Sequence, residues 1–197
     1  TSNNIAIGKM VGRSATQGSG NILMGEDIME EGGSVGSTNI MIGKKVASAN
    51  VCRTTGSVSN IFMGPYAAHN HTSAGYNVVL GACAGFNLVS GQYNIIFGNN
   101  AARCGAQSGG CNVIIGRSAG CDITSGSDNI FLGTDAGNTN TSGSKNVAIG
   151  CNVELASATG SNQLAIGAGT NRWISGDSSY NVCLANGSAI KAMASGT

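Results

Sequence analysis

One short phrase, an Asn followed by three apolar residues and a Gly, returns eleven times along 197 residues, and its spacing limits the chain to very few folds. The copies start at Asn4, Asn21, Asn39, Asn60, Asn77, Asn94, Asn112, Asn129, Asn146, Gln163 and Asn181; Gln163 replaces the opening Asn in one, and Ala185 replaces the closing Gly in another. Six of the ten intervals are 17 residues, three are 18 and one is 21. A unit this short cannot bury an apolar face by itself, but a stack of such units can, so the period predicts a solenoid.

The apolar triplets, such as Ile5-Ala6-Ile7, Val113-Ile114-Ile115 and Ile130-Phe131-Leu132, are rich in β-branched and aromatic residues and end at Gly, which reads as a strand. The repeat leaves no room for a helix beside it. Gly accounts for 32 residues and Pro65 is the only proline, so the strands are punctuated by Gly turns. The Gly that closes each triplet, from Gly8 to Gly167, predicts a corner with positive φ or no space for a Cβ. The expected fold is all-β, a parallel β-solenoid or β-roll of about eleven coils with a 17-residue repeat. Residues 1–167 form the repetitive part, and residues 168–197 a degenerate last coil with a cap or tail.

Within a triplet, residues one and three share a face and the middle one points the other way. The flanking pair is large in every copy, as in Ile22 with Met24 and Ile95 with Phe97, and is assigned to the inside of the coil. The middle residue is apolar as well, running through Leu23, Met41, Phe62, Val79, Ile96, Ile114, Phe131 and Cys183, and is assigned to the outside. Strands apolar on both faces are normally covered on both. A wet stripe of this length exceeds what soluble monomers tolerate, so sister chains are expected to cover the middle positions.

Eight residues into each unit stand Val11, Ile28, Val46, Ala67, Ala84, Ala101, Ala119, Ala136 and Val153, read as a short return strand of small core residues. Segments such as Ser90-Gly91-Gln92 and Ser125-Gly126-Ser127 form the outer turn. Ten steps of about 4.8 Å give a rod on the order of 50 Å long. The leading Asn residues are expected to be buried and to hydrogen-bond up the stack as an amide ladder.

Composition excludes several functions. Charged residues make up 10 % and the formal net charge is +1, with no basic cluster beyond Lys44-Lys45, so the footprint of a nucleic-acid binder is missing. No apolar run reaches membrane-spanning length, and no membrane insertion is expected. Catalysis needs a nucleophile, a base and an orienting acid to converge. Two His and nine carboxylates are scattered over different coils, and the neighbours Glu30 and Glu31 point in opposite directions, so no enzyme and no catalytic residue is assigned. No cofactor is expected.

The seven cysteines, at 52, 83, 104, 111, 121, 151 and 183, occupy different places in the repeat and form no metal-binding spacing. Most are read as reduced apolar fillers, with a disulfide between Cys104 and Cys111 across an outer turn as the alternative. His69 and His71 are two apart in extended chain, a spacing that three chains around an axis turn into a six-imidazole set. Their place after Ala68 assigns them instead to a solvated outer turn, and no metal ligand is named.

Two groups of proteins carry text like this. Asn146-Val147-Ala148-Ile149-Gly150 and Asn4-Ile5-Ala6-Ile7-Gly8 resemble the repeat in the head domains of trimeric autotransporter adhesins, which are left-handed parallel β-rolls assembled as trimers. The longer unit from Asn77 to Tyr93 and the tail from Trp173 to Val182 are similar to repeats in tail fibres and other virion fibre proteins of bacteriophages and large algal viruses. In those proteins such a tail commonly precedes a self-cleaving chaperone domain, so the chain is expected to be a piece or processed product of a longer fibre. The resemblance implies a homotrimeric fibre on a virion or cell surface. Its partners would be sister chains, other fibre or tail proteins, and a host cell-surface receptor such as a glycan.

A bacterial adhesin head would be built the same way and is the alternative, told apart by its flanking domains. An ice-binding solenoid would need Thr at one place in every coil, whereas that place runs Thr16, Gly33, Val51, Thr72, Val89, Ala106, Thr124, Thr141 and Ala158. Recognition by a fibre should lie in exposed turns. The candidates are a bulging loop over Asn50 to Thr55, in the longest interval, and the group Arg172, Trp173 and Tyr180. Trp173 is expected to cap the apolar end of the stack.

Overall fold

The computed structural model describes residues 3–12, 16–29, 34–48, 58–73 and 75–185. Its strands are β1 (Ile5–Lys9), β2 (Thr16–Gln17), β3 (Ile22–Glu26), β4 (Ser34–Val35), β5 (Ile40–Lys44), β6 (Ile61–Met63), β7 (Val78–Leu80), β8 (Ile95–Phe97), β9 (Val113–Ile115), β10 (Ile130–Leu132), β11 (Val147–Ile149), β12 (Leu164–Ala168), β13 (Asn171–Gly176) and β14 (Val182–Leu184). There is no helix among the described residues. All but β2 and β4 join one sheet, in which successive copies of the phrase pair in parallel from β1 through β12 with like positions in register, as in Ile95 with Val113 and Phe97 with Ile115. The parallel β-solenoid read from the period is therefore the fold.

The stack has fewer turns than eleven phrases imply. After β12 the chain reverses, with a register shift at Ile166/Gly167, and β13 pairs antiparallel with β12. The phrase at Asn181 supplies β14, antiparallel to β13, rather than another coil. Arg172 and Trp173 form part of the strand that reverses.

The two faces of the triplet are the opposite of the expected ones. Leu23, Met41, Phe62, Val79, Ile96, Ile114, Phe131, Ala148 and Ala165, all middle residues, are at most 1 % exposed. The flanking residues face outward, and Ile7, Ile95 and Phe97 are 55 %, 44 % and 54 % exposed. Parity is the reason. The Asn lies two residues before the middle position and so shares its face, and Asn21, Asn39, Asn60, Asn77, Asn94, Asn112, Asn129 and Asn146 are fully buried. A buried Asn carries the middle residue into the core and turns the flanking pair out. Each large middle side chain withdrawn from water contributes about 1.5–3 kcal/mol.

These Asn side chains form the expected ladder and also close each coil. From Asn21 to Gln163, the backbone N–H of each residue in this column donates to Oδ1 of the one a coil earlier; for Asn112 on Asn94 the distance is 3.0 Å. Within one coil the Asn112 Nδ2 donates to the Gly126 carbonyl at 2.9 Å, and the Asn129 Nδ2 to that of Gly143 at 2.9 Å. The first donation ties coil to coil. The second ties the strand to the outer turn, so one side chain fixes both the stacking and the cross-section.

The residues eight into the unit are buried from Ile28 to Val153, as expected, and Val11 packs against the core. They do not form a return strand. The next residue turns into the left-handed region in most coils, for example Ala68 at φ 48° and Ala102 at φ 48°, which ends any extended run. A further inward position carries His71, Leu88, Ile123 and Asn140, with Gln107 bridged to Leu88.

The Gly that closes each triplet from Gly8 to Gly150 meets both conditions read from the sequence, whereas Gly167, where the chain reverses, meets only the second, with an added Cβ 2.2 Å from the Asn171 carbonyl oxygen. At Gly116 φ is +139°, and an added Cβ would lie 2.2 Å from the Gly133 carbonyl oxygen of the next coil. Elsewhere the space a Gly leaves is filled by the core. A Cβ at Gly137 would come within 2.7 Å of the Phe131 ring, so the largest core side chain fits only because its neighbour has none.

Candidate interaction surfaces

The outward turn of the flanking pairs lays two parallel apolar columns along the sheet from β1 to β12. The first runs from Ile5 through Ile95 and Ile130 to Leu164, and the second from Ile7 through Phe97 and Ile115 to Ile166. Every position in both is Ile, Val, Leu, Met or Phe. Their exposed surface is on the order of 1,000 Å², above the few hundred that a soluble monomer ordinarily leaves bare.

Polar rims border the stripe on both sides. One rim follows the closing Gly and holds Lys9, Glu26 and Lys44 at the ends of β1, β3 and β5, with Asn99 and Arg117 further along and Pro65 and Ala82 between the two groups. Glu26 lies 3.6 Å from Lys9 Nζ and 3.1 Å from Lys44 Nζ, and Arg117 pairs with Asp135 at 3.2 Å. The hydrogen bond and charge of Lys44 hold the Glu26 carboxyl below its usual range, with Lys9 adding to the effect. At such exposure these pairs add little stability. The other rim holds Thr38, Ser59, Tyr76, Tyr93, Cys111, Asp128 and Lys145, each immediately before the buried Asn or next to it in the stack.

The histidines do not share a face. His71 points into the coil, 2 % exposed, with its ring edge-on to Phe62 at 5.0 Å. Only His69 is at the surface, half-buried between Tyr66 at 5.5 Å and Phe86 at 4.9 Å, with Nδ1 3.0 Å from the Lys45 carbonyl oxygen. The solvated turn expected for both is therefore corrected for His71, because its position belongs to the inward column that also holds Leu88 and Ile123.

The Cys104–Cys111 disulfide is replaced by one between Cys104 and Cys121, 17 residues apart in adjacent coils, with Cα atoms 5.2 Å apart. Cys83, Cys111, Cys151 and Cys183 are free thiols, and the last three are exposed rather than core fillers. Among the described residues, Cys104, Cys121 and Asp122 form the one cluster of metal-ligating type, and its two sulfurs are bonded to each other. Cys52, Glu30, Glu31 and the loop from Asn50 to Thr55 lie outside the described residues.

At the C-terminal end, Ala156, Leu164, Arg172, Asp177, Asn181 and Cys183 line a hollow of about 130 Å³, and the buried Arg172 Nε has no hydrogen-bond partner. The Asn181 side chain donates to Asp177 Oδ2 at 3.0 Å and the Ser179 and Asn181 N–H groups to Oδ1, which lowers the Asp177 pKa, the Asn181 side chain most. Trp173 does not cap the stack: its side chain is 63 % exposed, because the antiparallel reversal turns it away from the coil interior. Trp173→Ala is therefore expected to leave stability within about 0.5 kcal/mol, as for an ordinary surface substitution. A thermal melt checks it, and a fall of more than a few degrees would return the ring to a packing role. Tyr180 is also exposed and shares no contact with Trp173 among the described ring pairs.

A further surface feature, the Tyr76 and Tyr93 pair, is not among the candidates drawn from the sequence. Their rings stack 5.0 Å apart and within 5° of parallel on the rim of the stripe. The signal was present, since both precede the Asn of consecutive copies.

Compared with known proteins, the chain matches no family model, no curated protein and no solved structure. Fold and surface together define a class: a parallel β-solenoid closed by an antiparallel hairpin, with a continuous apolar stripe between two polar rims.

Proposed function

We propose that the chain is the shaft or head of a homotrimeric attachment fibre, in which three copies set their apolar stripes against a common axis. The stripe carries this reading. It is uninterrupted over the whole stack, and its apolar centre with polar rims has the composition of an interface core and rim. About 1,000 Å² per chain, divided between two neighbours, buries about 1,000 Å² in each pairwise contact, the size at which a specific interface begins. A stripe only two columns wide suits three chains meeting edge to edge better than two broad sheets face to face. The role proposed for the fibre is structural and adhesive, on a virion tail or comparable extracellular surface, with no catalysis. The buried positions are committed to the stack, which leaves the rims and the C-terminal end for contact with a receptor.

The test is the mass in solution of the purified chain by native mass spectrometry and light scattering. Three times the chain mass is expected at micromolar concentration. A stable monomer with its stripe in water would overturn the reading.

A further inference from the structure

We propose that Tyr76 and Tyr93 form the centre of a carbohydrate site whose ligand is a neutral chain of hexopyranose units with a unit stacked on an outer ring face. The inference deepens the attachment reading and rests on it, since it supplies the chemistry of the receptor.

The backbone gives the first reason. Every described residue in this rim column adopts positive φ, including Ser59 at 57°, Tyr76 at 60°, Tyr93 at 58°, Cys111 at 58° and Asp128 at 58°. The left-handed conformation costs an ordinary L-residue about 1–2 kcal/mol, whereas Gly, Asn and Asp adopt it easily. The column uses Asn3, Gly20, Asp128 and Asn162 at four other places and Thr38, Ser59, Cys111, Lys145 and Tyr180 at five, so what is particular to Tyr76 and Tyr93 is two bulky aromatic side chains in succession at a position that costs each of them energy. Stacking returns only about 0.5–1.5 kcal/mol.

The ring geometry gives the second. Neighbouring coils are about 4.8 Å apart. Rings 5.0 Å apart and parallel within 5° therefore face each other along the rod, and each keeps one face uncovered. Both remain half exposed, at 49 % and 56 %. The next residues in the column are small: Ser59 beyond Tyr76 and Cys111 beyond Tyr93. A pyranose lying on the free face of Tyr76 would sit over Ser59, whose Oγ is 3.0 Å from the Thr38 Oγ1. One on Tyr93 would sit over Cys111 with the Asp128 carboxylate on its far side. The C–H face of a sugar matches an aromatic face, and its hydroxyl rim needs the hydroxyls at one end and the carboxylate at the other. Neither slot offers a cation, and Asp128 disfavours an anion, so the ligand is neutral.

Saturation-transfer difference NMR on the purified full chain tests this with maltohexaose, cellohexaose, laminarihexaose and mannohexaose, with mass in solution followed in parallel. Transfer to the ring protons of at least one probe is expected. It should fall about tenfold in Tyr76→Ala/Tyr93→Ala, the equivalent of losing one stacking contact of about 1.4 kcal/mol. Tyr76→Phe/Tyr93→Phe should retain it, and the mass should not change in either variant. The site is overturned by no transfer to any of the four probes, by full transfer in the Ala variant, or by dissociation of the Ala variant, which would place the pair between chains. A wild-type monomer that still shows transfer removes the fibre and leaves the site standing.

Discussion

Asn112→Leu is expected to melt about 10 °C below the wild-type protein, although Leu is as apolar as the side chains stacked beside it. Asn112 donates to Asn94 Oδ1 at 3.0 Å and to the Gly126 carbonyl at 2.9 Å, and its Oδ1 accepts both the backbone N–H and the Nδ2 of Asn129 at 3.0 Å. Some of these groups keep another partner after the substitution: Asn94 Oδ1 still accepts the backbone N–H of residue 112, and Asn129 Nδ2 still reaches the Gly143 carbonyl. The Asn129 N–H and the Gly126 carbonyl lose theirs in a dry place. Each stranded group costs about 1–3 kcal/mol, so the loss is about 3–4 kcal/mol. In a chain of this size that corresponds to about 10 °C. Circular dichroism on heating measures it, with the exposed Asn99→Leu as the control that should not move. An unchanged midpoint for Asn112→Leu would mean that the ladder accompanies the stack without holding it.

The second large effect is on assembly rather than on the coil. Phe97→Asp/Ile115→Asp places two carboxylates side by side in the outer column, where Phe97 and Ile115 are register partners. Neither side chain enters the core, so the coil should fold, with a small penalty from like charges in adjacent strands. Between chains the same carboxylates would be desolvated without partners, which costs several kcal/mol per ion. Light scattering should therefore show the variant at the mass of a single chain with the circular dichroism of the parent. An assembly that survives both carboxylates would show that the stripe is not what joins the chains.

How far the sequence could be read follows from which interactions leave a periodic trace. The solenoid, the strand positions, the corner Gly and the Asn ladder all recur every 17 residues, and all are in the structure. Neither apolarity nor side-chain volume tells the inside of the triplet from the outside, because both sets are apolar; parity with the buried Asn decides. Had Asn112 and Ile114 been placed on one face, Val113 and Ile115 would have gone outward at once. The inward place of His71 leaves no apolar trace in the sequence, because its column mixes His71, Gln107 and Asn140 with Leu88 and Ile123. The last copy misled for another reason. Its phrase keeps the Asn and the apolar triplet but closes at Ala185 instead of Gly, and the register shift at Ile166/Gly167 reverses the chain before Val182 is reached. Of the candidate surfaces, the Arg172, Trp173 and Tyr180 region was legible from composition, whereas the Tyr76 and Tyr93 stack required adjacent copies to be compared column by column.

The interval from Asn94 to Asn112 has one more residue than its neighbours, yet Ile95 still pairs with Val113. Surplus residues are taken up in the outer turns and do not shift the strands. Whole units can for that reason be added or removed with the strand register kept: duplicating or deleting one would lengthen or shorten the rod by a single step and change only the side-chain contacts, such as the Cys104–Cys121 disulfide, that cross the altered boundary. Reach becomes a matter of counting, adjustable in increments without redesigning the wall from which it is built.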